Sequence, residues 1–330
     1  MRPPKINTNI IRIIFARFKE MGILTALLII FLILSISTDS FFQLSNIIIV
    51  LRYSVFTGIM ALGAVFMISQ GDIDLSVGGI YNFVGIMLLV LLERGWPVNL
   101  VVPLGLLTGM VCGLINMSLS MGLKIPMLII TLGTMNIYRG LGLVLYTGRA
   151  KTDYPLDNFL FQVFGKTFGG IPFGILALVI LALILFYIFG FTRFGIHVRS
   201  IGGNLVVAKA MGIKISKTRI YSAMINGGLA AISAILTFGY LRTALPSFGN
   251  GYEFIALAAA IIGGTALAGG SGSIFGAALG ALVISLIVNG IAHLGISTYW
   301  SATVTGTIII MAVAIDYISK RNYNRDRAGF

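Results

Sequence analysis

Acidic residues are scarce in this 330-residue chain. Only ten residues are Asp or Glu, against 23 Lys and Arg, and charged residues of all kinds make up 10% of the sequence. Hydrophobic residues make up 58% of it. This balance excludes a soluble globular domain, because the polar residues are too few to cover so much apolar material. It is typical of a protein that crosses a membrane several times.

Cysteine and histidine are nearly absent as well. The one cysteine, Cys112, lies in an apolar run, so the chain has neither an internal disulfide nor a cysteine-based metal site. Its two histidines are far apart, which excludes a histidine-based metal site and a Ser-His-Asp arrangement. Gly165-Lys166-Thr167 resembles the end of a phosphate-binding loop, but Leu160 stands where that loop requires Gly. We therefore expect no enzyme activity in this chain and no bound metal or cofactor.

The net charge of +13 is concentrated in three places. They are the arm 1–20, the loop 192–218 and the tail 318–330. Charge distributed in this way indicates membrane topology rather than a surface for nucleic acid. Because Lys and Arg near span ends are retained inside the cell, all three segments are predicted to be cytoplasmic. The arm has helical apolar spacing and is predicted to be an amphipathic helix on the membrane surface.

Ten apolar runs reach roughly the 20 residues needed to cross ~30 Å of hydrocarbon. They predict an all-α polytopic membrane protein with one transmembrane domain, 21–317, and both termini in the cytoplasm. The loop 148–170, which contains Asp153 and Asp157, is then outside, and the short segment 41–50 is expected at the outer surface. The predicted spans are 21–38, 53–70, 77–93, 98–116, 126–147, 171–191, 219–239, 253–269, 274–293 and 300–317.

The loop between the sixth and seventh spans is predicted to carry a short helix. Residues 202–204 form a turn signal, and Asn204 is a favourable N-cap for a helix over 205–211. Gly212 then ends that helix. A solvated connector explains the basic composition of this loop without any partner. The alternative is a docking helix for a cytoplasmic protein.

The segment Gly71–Gly79 is the most polar stretch within the apolar body, with Asp72, Asp74 and Ser76. Carboxylates are costly inside a bilayer. One interpretation is a hydrated turn in which Ser76 caps the third span. The other is a broken-helix element beside a translocation path, where carboxylates and backbone groups hydrogen-bond a polyol. A calcium loop is excluded, because Val77 stands where that loop needs Gly and no Glu closes it.

Arg139 is the one basic residue well inside a predicted span, about 20 Å above the start of that span. Its long side chain could snorkel to the outer interface. Alternatively, it faces the interior of the bundle and neutralises a carboxylate or a ligand oxygen. Glu253 lies at the end of a predicted span, where a polar group costs little.

Glycine is abundant near the C-terminal end of the domain. Residues 262–272 and 276–280 contain small residues at spacings that let helix backbones approach closely. We interpret them as packing residues, and a role in permeation would be secondary. The residues predicted to pack helices are Gly263, Gly264, Gly269, Gly270, Gly276 and Gly280.

Four segments together resemble the membrane permease subunit of bacterial ATP-binding-cassette importers for simple sugars, the ribose, xylose, galactose and autoinducer-2 group. In the segment Gly71–Gly79, Asp72 stands where the family usually has the second Gly of Gly-Gly-Ile-Asp-Leu-Ser-Val-Gly. Met117, which follows Asn116, also replaces a Gly that is usual in the family. The resemblance covers roughly residues 20–317. The four segments are Gly71–Gly79; Lys124-Ile-Pro with Thr131-Leu-Gly-Thr and Tyr138-Arg139-Gly140; Ile201-Gly-Gly-Asn through Gly212-Ile213; and Gly251-Tyr-Glu253 through Gly263-Gly-Thr and Gly269-Gly-Ser-Gly.

The resemblance implies a subunit in the bacterial inner membrane that moves sugar by alternating access. It implies a cytoplasmic ATPase subunit that uses ATP, a periplasmic or lipid-anchored sugar-binding protein, and a second permease copy or paralogue. The helix in the basic loop would be the coupling helix that seats in the ATPase. The implied coupling residues are Gly202, Gly203, Asn204, Ala208 and Gly212. The candidate translocation path is Asp72, Asp74, Ser76, Arg139 and Glu253.

Three alternatives stay open on the sequence. A permease of the same kind could carry autoinducer-2, nucleosides or branched-chain amino acids. A proton-coupled secondary transporter would need an ionisable relay within the spans. A channel or a purely structural membrane protein would act without any ATPase.

Overall fold

The computed structural model of the chain is a helical bundle. It describes residues 21–38, 40–146, 159–165, 167–168, 171–297, 300, 303–311 and 313–314. The predicted arm 1–20, the tail 318–330, and Asp153 and Asp157 lie outside the described residues. The helices are α1 Met21–Ser37, α2 Leu44–Ser69, α3 Val77–Glu93, α4 Val98–Leu123, α5 Met127–Leu145, α6 Phe159–Phe164, α7 Phe173–Phe191, α8 Arg193–Gly203, α9 Leu205–Ala210, α10 Ile215–Leu241, α11 Tyr252–Ile262 and α12 Ile274–His293.

Six of these helices, α2, α4, α5, α7, α10 and α12, are long and apolar enough to cross a membrane. Three shorter apolar helices, α1, α3 and α11, pack with them. The expectation of an all-α polytopic membrane protein is therefore confirmed. One small exception is a hairpin of two-residue strands, β1 Thr167–Phe168 and β2 Ile171–Pro172, which pair antiparallel.

Several observed helices are longer than the predicted spans, such as α4, which continues to Leu123, and two differences change the architecture. The segment 41–50 is no separate surface element, because α2 begins at Leu44 and continues through it for 26 residues. The predicted span 253–269 is only half a span, because α11 ends at Ile262 and the chain turns at Gly264, whose φ is +90°. The tenth predicted span, 300–317, is described in part, and residues 303–311 of it are helical.

The bundle has two ends that are used as references below. The basic end holds α8, α9 and the first turn of α10, with their Lys and Arg residues. The far end holds the start of α2 and the end of α12. Asn46 and His293 are joined there by a 2.8 Å hydrogen bond between Oδ1 and Nε2.

Two chain segments break the regular crossing pattern. The connection 70–76, between α2 and α3, turns back into the bundle after the exposed Gly71. The other is the segment 242–251, which is held beside α3 by Asn82. The amide nitrogen of Asn82 donates to the carbonyl oxygens of Leu245, Pro246 and Phe248 at 2.9–3.1 Å. As a result, α11 begins inside the bundle beside the first turns of α3.

Close backbone contact explains most of the predicted packing glycines. A Cβ at Gly276 would collide with the backbone of Gly263, and one at Gly280 with the backbone of Ala259, so α11 and α12 touch backbone to backbone. Gly264 differs from the prediction, since no atom lies within 4 Å of a Cβ built there. Its positive φ, which side chains disfavour, is the reason for glycine at that position.

We expect Gly276→Val to destabilise the protein, because the added side chain must push α11 away from α12. Overpacking of this kind typically costs about 1–3 kcal/mol. The measurement is thermal melting of the detergent-purified chain. Gly133→Val is the matched control, since Gly133 is an exposed glycine within α5 that has no atom within 4 Å of its Cβ position. Equal melting temperatures for the two variants would contradict the close contact.

Candidate functional site

The connection 70–76 places two acidic side chains inside the bundle. Asp72 and Asp74 are 9% and 7% exposed. Their partners on α10 are Arg219 and Asn226, which lie about 6 Å and about 16 Å along that helix from its first residue. Both carboxylates therefore lie inside the bundle, largely out of water, and the interpretation of a hydrated turn is wrong.

Asp74 is surrounded by donors. Its Oδ1 accepts hydrogen bonds from the backbone N–H and the hydroxyl of Ser76, at 2.8 and 2.6 Å. Its Oδ2 accepts from the amide of Asn226 at 3.0 Å. Ser76 precedes α3 but makes no side-chain cap, because its hydroxyl is used by Asp74. Three donors compensate for the removal of this carboxylate from water.

The same network reaches two further helices. The amide of Asn116, on α4, donates to the Ser76 hydroxyl at 2.7 Å. The hydroxyl of Tyr138, on α5, donates to the Asn116 carbonyl at 2.8 Å. Thr131, also on α5, accepts from the backbone N–H of Leu75 at 3.2 Å. The connection is thereby fixed to α4, α5 and α10 at once.

Asp72 joins the connection to the basic end. Its Oδ2 lies 3.3 Å from Nε of Arg219 and accepts a 3.0 Å hydrogen bond from Gln70. Arg219 directly follows the basic loop 192–218 in the sequence and lies in the second turn of α10, where it pairs with Asp72. The positive charge that fixes topology is here also the partner of a buried carboxylate.

Arg139 and Glu253 form an ion pair. Nη2 of Arg139 lies 3.0 and 3.1 Å from the two carboxylate oxygens of Glu253. Arg139 therefore neutralises a carboxylate and does not snorkel to the interface. Glu253 was expected at a span end, where burying a polar group costs little free energy. That expectation is wrong, because the side chain of Glu253 is only 2% exposed. As the acidic residue in the first turn of α11, it also complements the helix dipole.

The structure brings the five candidate path residues into one region. Asp72, Asp74 and Ser76 belong to one network, and Arg139 and Glu253 form a second group. Gly78 joins the two groups, because it follows Ser76 by two residues and a Cβ there would collide with the Glu253 carboxylate. The predicted coupling residues, in contrast, lie apart from this region at the basic end.

The short helix of the basic loop has the predicted form. Asn204 caps α9, with its side-chain oxygen accepting from the backbone N–H groups of Val206 and Val207 at 3.0 and 3.1 Å. Gly212 follows with a φ of +76°. Ala208 faces inward and is 2% exposed. The outer face is apolar and open, with Val206 79% exposed.

The two glycines before α9, Gly202 and Gly203, have different surroundings. Gly202 has no room for a side chain, because a Cβ would collide with the carbonyl of Ser69 and the backbone of Gly270. The N–H of Gly270 donates to that same carbonyl at 2.8 Å. Gly203 is exposed and has only one atom, at 3.9 Å, near its Cβ position. The last residue of α2, the 269–270 turn and the end of α8, two residues before α9, thus meet at one point.

Sequence reasoning missed the partners that complete the buried network. Asn226 was given no role, and Asn116 and Tyr138 entered only as parts of resembling segments. The available signal was position for Asn226 and Tyr138, since each is a polar side chain inside a predicted apolar span, where an unpaired polar group is costly. Asn116 gave a weaker signal, because it is the last residue of the predicted span 98–116 and only the observed helix α4 continues past it. What could not be read from the sequence is which of them meet.

The comparison with known proteins identifies the family. A family profile described as "Branched-chain amino acid transport system / permease component" matches residues 46–313. The chain belongs to this family of membrane permeases. No solved structure matches this permease.

Its relatives are transport permeases. The permease is 35% identical over 96% of its length to the ribose import permease protein of Bacillus subtilis (strain 168), covering 98% of that protein. It is 34% identical over 89% of its length to the probable ABC transporter permease protein YphD of Escherichia coli (strain K12), covering 88%. It is 30% identical over 90% of its length to the autoinducer 2 import system permease protein of Yersinia pseudotuberculosis, covering 84%. The resemblance to simple-sugar ABC permeases is confirmed.

We expect Glu253→Ala to destabilise this permease by about 3 kcal/mol, because it leaves the Arg139 guanidinium unpaired within the bundle. The measurement is a double-mutant cycle by thermal melting with Arg139→Leu and the double variant. The double variant should recover much of the loss, since it removes the unpaired charge. Additive losses would contradict a direct ion pair.

Proposed function

We propose that this permease is the transmembrane subunit of an ATP-binding-cassette importer in the bacterial inner membrane. It carries a pentose or hexose sugar and is energised by a separate ATPase subunit. The relatives named for ribose and xylose import, at 30–35% identity, support this substrate class. The relative named for autoinducer 2 import, at 30% identity, supports a second candidate substrate.

The observation that carries the proposal is the exposed apolar face of α9. Val206 in α9 and Met211, which directly follows it, are 79% and 78% exposed at an end of the bundle that is rich in Lys and Arg. Such an end faces the cytoplasm, by the retention of basic residues on that side. Apolar side chains exposed there, outside the lipid, favour contact with a soluble protein. A cytoplasmic ATPase subunit with a groove for a short helix is that partner.

The residues that precede α9 connect it to the interior of the bundle, so a displacement of α9 can reach the connection 70–76. Gly202 touches the last residue of α2 and the turn at Gly270 without intervening side chains. Ser69 is followed directly by the polar connection 70–76. Backbone contacts of this kind transmit small displacements, because there is no flexible side chain to absorb them. Closure of the ATPase pair would therefore move the connection and the start of α3.

A polar route through the bundle is necessary for a sugar, because its hydroxyl groups lose water in the lipid. Asp72, Asp74, Ser76, Arg139 and Glu253 supply polar groups in the required region. Asp74 uses its oxygens on three protein donors here, so its proposed role is to hold this conformation. Arg139, with a side chain that is 22% exposed, is the member of the group that can reach a passing ligand. An extracytoplasmic sugar-binding protein delivers the sugar at the far end, and a second permease copy or paralogue completes the path.

We expect Gly203→Arg to abolish association with the ATPase subunit and sugar uptake, while the protein still inserts and folds. Gly203 is exposed, so the large side chain blocks docking without disturbing the bundle. The measurement is co-purification of the ATPase with the tagged permease. Ser216→Arg is the matched control, since Ser216 is exposed in the first turn of α10 but lies outside α9. Normal ATPase recovery with Gly203→Arg would refute the coupling role of α9.

We expect Asp74→Asn to reduce transport more than folding. The substitution keeps the shape of the side chain but weakens the charge-assisted bonds to Ser76 and Asn226, and so lowers uptake by roughly tenfold. The two measurements are sugar uptake by whole cells and the amount of monodisperse protein recovered from their membranes. Parallel loss of uptake and of protein would indicate a structural role alone.

A further inference from the structure

A large cavity opens at the far end of the bundle, away from the network around Asp74. Its volume is about 720 Å³, within the range of small-molecule sites. It exists because α11 begins inside the bundle, which leaves the space above its first turn without a helix. The walls come from α2, the second half of α12 and the helical residues 303–311. The lining residues used in the argument are Tyr53, Tyr252, Ser285, Asn289 and Thr305.

Two hydroxyl-bearing residues, Ser285 and Thr305, line this cavity and are largely buried. Ser285 and Thr305 are 8% and 9% exposed. Within the described part of the chain, neither hydroxyl makes a hydrogen bond. Hydroxyls in helices commonly donate to the carbonyl four residues earlier, as Thr307 does to Thr303 at 2.9 Å. Ser285 makes no such bond to Ala281, and among the described residues Thr305 has no partner either. Both residues line the cavity, so their hydroxyls are available to a ligand there.

Asn289 adds an acceptor to the same wall. Its Nδ2 donates to Oδ1 of Asn46 at 2.9 Å, while its own Oδ1 is buried without a partner. The cavity therefore offers hydroxyls that can donate and an amide oxygen that can accept. No Asp, Glu, Lys or Arg is among its described lining residues. This chemistry suits a neutral ligand that carries several hydroxyl groups.

The floor of the cavity is the start of a half-helix. Gly251, with a φ of +82°, precedes α11, and the N-cap makes no side-chain hydrogen bond. Broken helices that begin within a membrane protein commonly mark the substrate site of a transporter. The rings of Tyr53 and Tyr252 add broad amphipathic surfaces to the wall.

We propose that this cavity is a sugar-binding vestibule within a single permease subunit, in which Ser285, Thr305 and Asn289 hydrogen-bond the hydroxyl groups of a monosaccharide. The inference rests on the proposed function and adds a site to it. A lipid acyl chain is the competing occupant. It fits the apolar part of the wall, but it would leave two hydroxyls and an amide oxygen buried without partners.

The first test is sugar uptake by cells that contain the complete transporter. We compare the double variant Ser285→Ala/Thr305→Val with Thr307→Val, a matched isosteric change on the same helix at an exposed hydroxyl. The double variant should take up D-ribose or D-xylose at least about fivefold more slowly at low sugar concentration, since two hydrogen bonds to the ligand are lost. Thr307→Val should match the wild type. Uptake by the double variant equal to that of a transporting wild type would overturn the vestibule. A wild type that carries neither these two sugars nor any other pentose or hexose of a test panel would instead refute the proposed function.

The second test measures the binding of sugar in the cavity directly and does not depend on transport. Ser285→Cys places a thiol in the cavity, while the native Cys112 is buried and should not react. The purified full chain in lipid nanodiscs is treated with a charged thiol reagent. D-ribose or D-xylose should slow the labelling of Cys at 285, whereas glycine betaine at equal osmolarity should not. Labelling that sugar leaves unchanged, or that only a fatty acid slows, would overturn the proposal.

Discussion

The structure depends on the placement of a carboxylate inside a membrane-embedded bundle. Such a group is stable there only when donors replace the water it has lost, and Asp74 obtains three of them from Ser76 and Asn226. Asn116 and Tyr138 then complete the hydrogen bonds of Ser76. One charge thus fixes the connection 70–76 and, through it, the relative positions of α3, α4, α5 and α10.

Much of the helical pattern could be predicted, because a span is a local property of about twenty apolar residues. The cap at Asn204 and the stop at Gly212 were likewise readable from neighbouring residues. The places where the chain departs from regular membrane-crossing helices could not be predicted in this way. The depth of Asp74 and the half-length of α11 are set by distant partners, Asn226 and the carbonyls held by Asn82, which no local pattern reveals. Glu253 was misjudged for the same reason, since only the fold places Arg139 beside it.

Glycine has two separate uses in this permease, and only one of them is helix packing. Between α11 and α12 it permits backbone contact at Gly276, where lipid supplies no hydrophobic force between helices. Around Gly202 and Gly270 it joins the loop of α9 to the ends of interior elements. The backbone contact at Gly276 stabilises the packing of α11 against α12. The second use explains how a short surface helix can be rigidly connected to the buried polar connection that follows Ser69.

The half-helix α11 connects the regions described above. At its first turn, Glu253 points to Arg139 and Gly78, while the neighbouring Tyr252 lines the cavity at the far end. At its other end the chain turns through residues 263–273 to reach the backbone of Gly202. A displacement of the proposed coupling helix would therefore reach the floor of the cavity along one short, stiff element of 11 residues. In the proposed transport cycle, α11 is the element best placed to link the ATPase to the sugar, because its first turn lines the cavity and the turn that follows its last residue contacts Gly202.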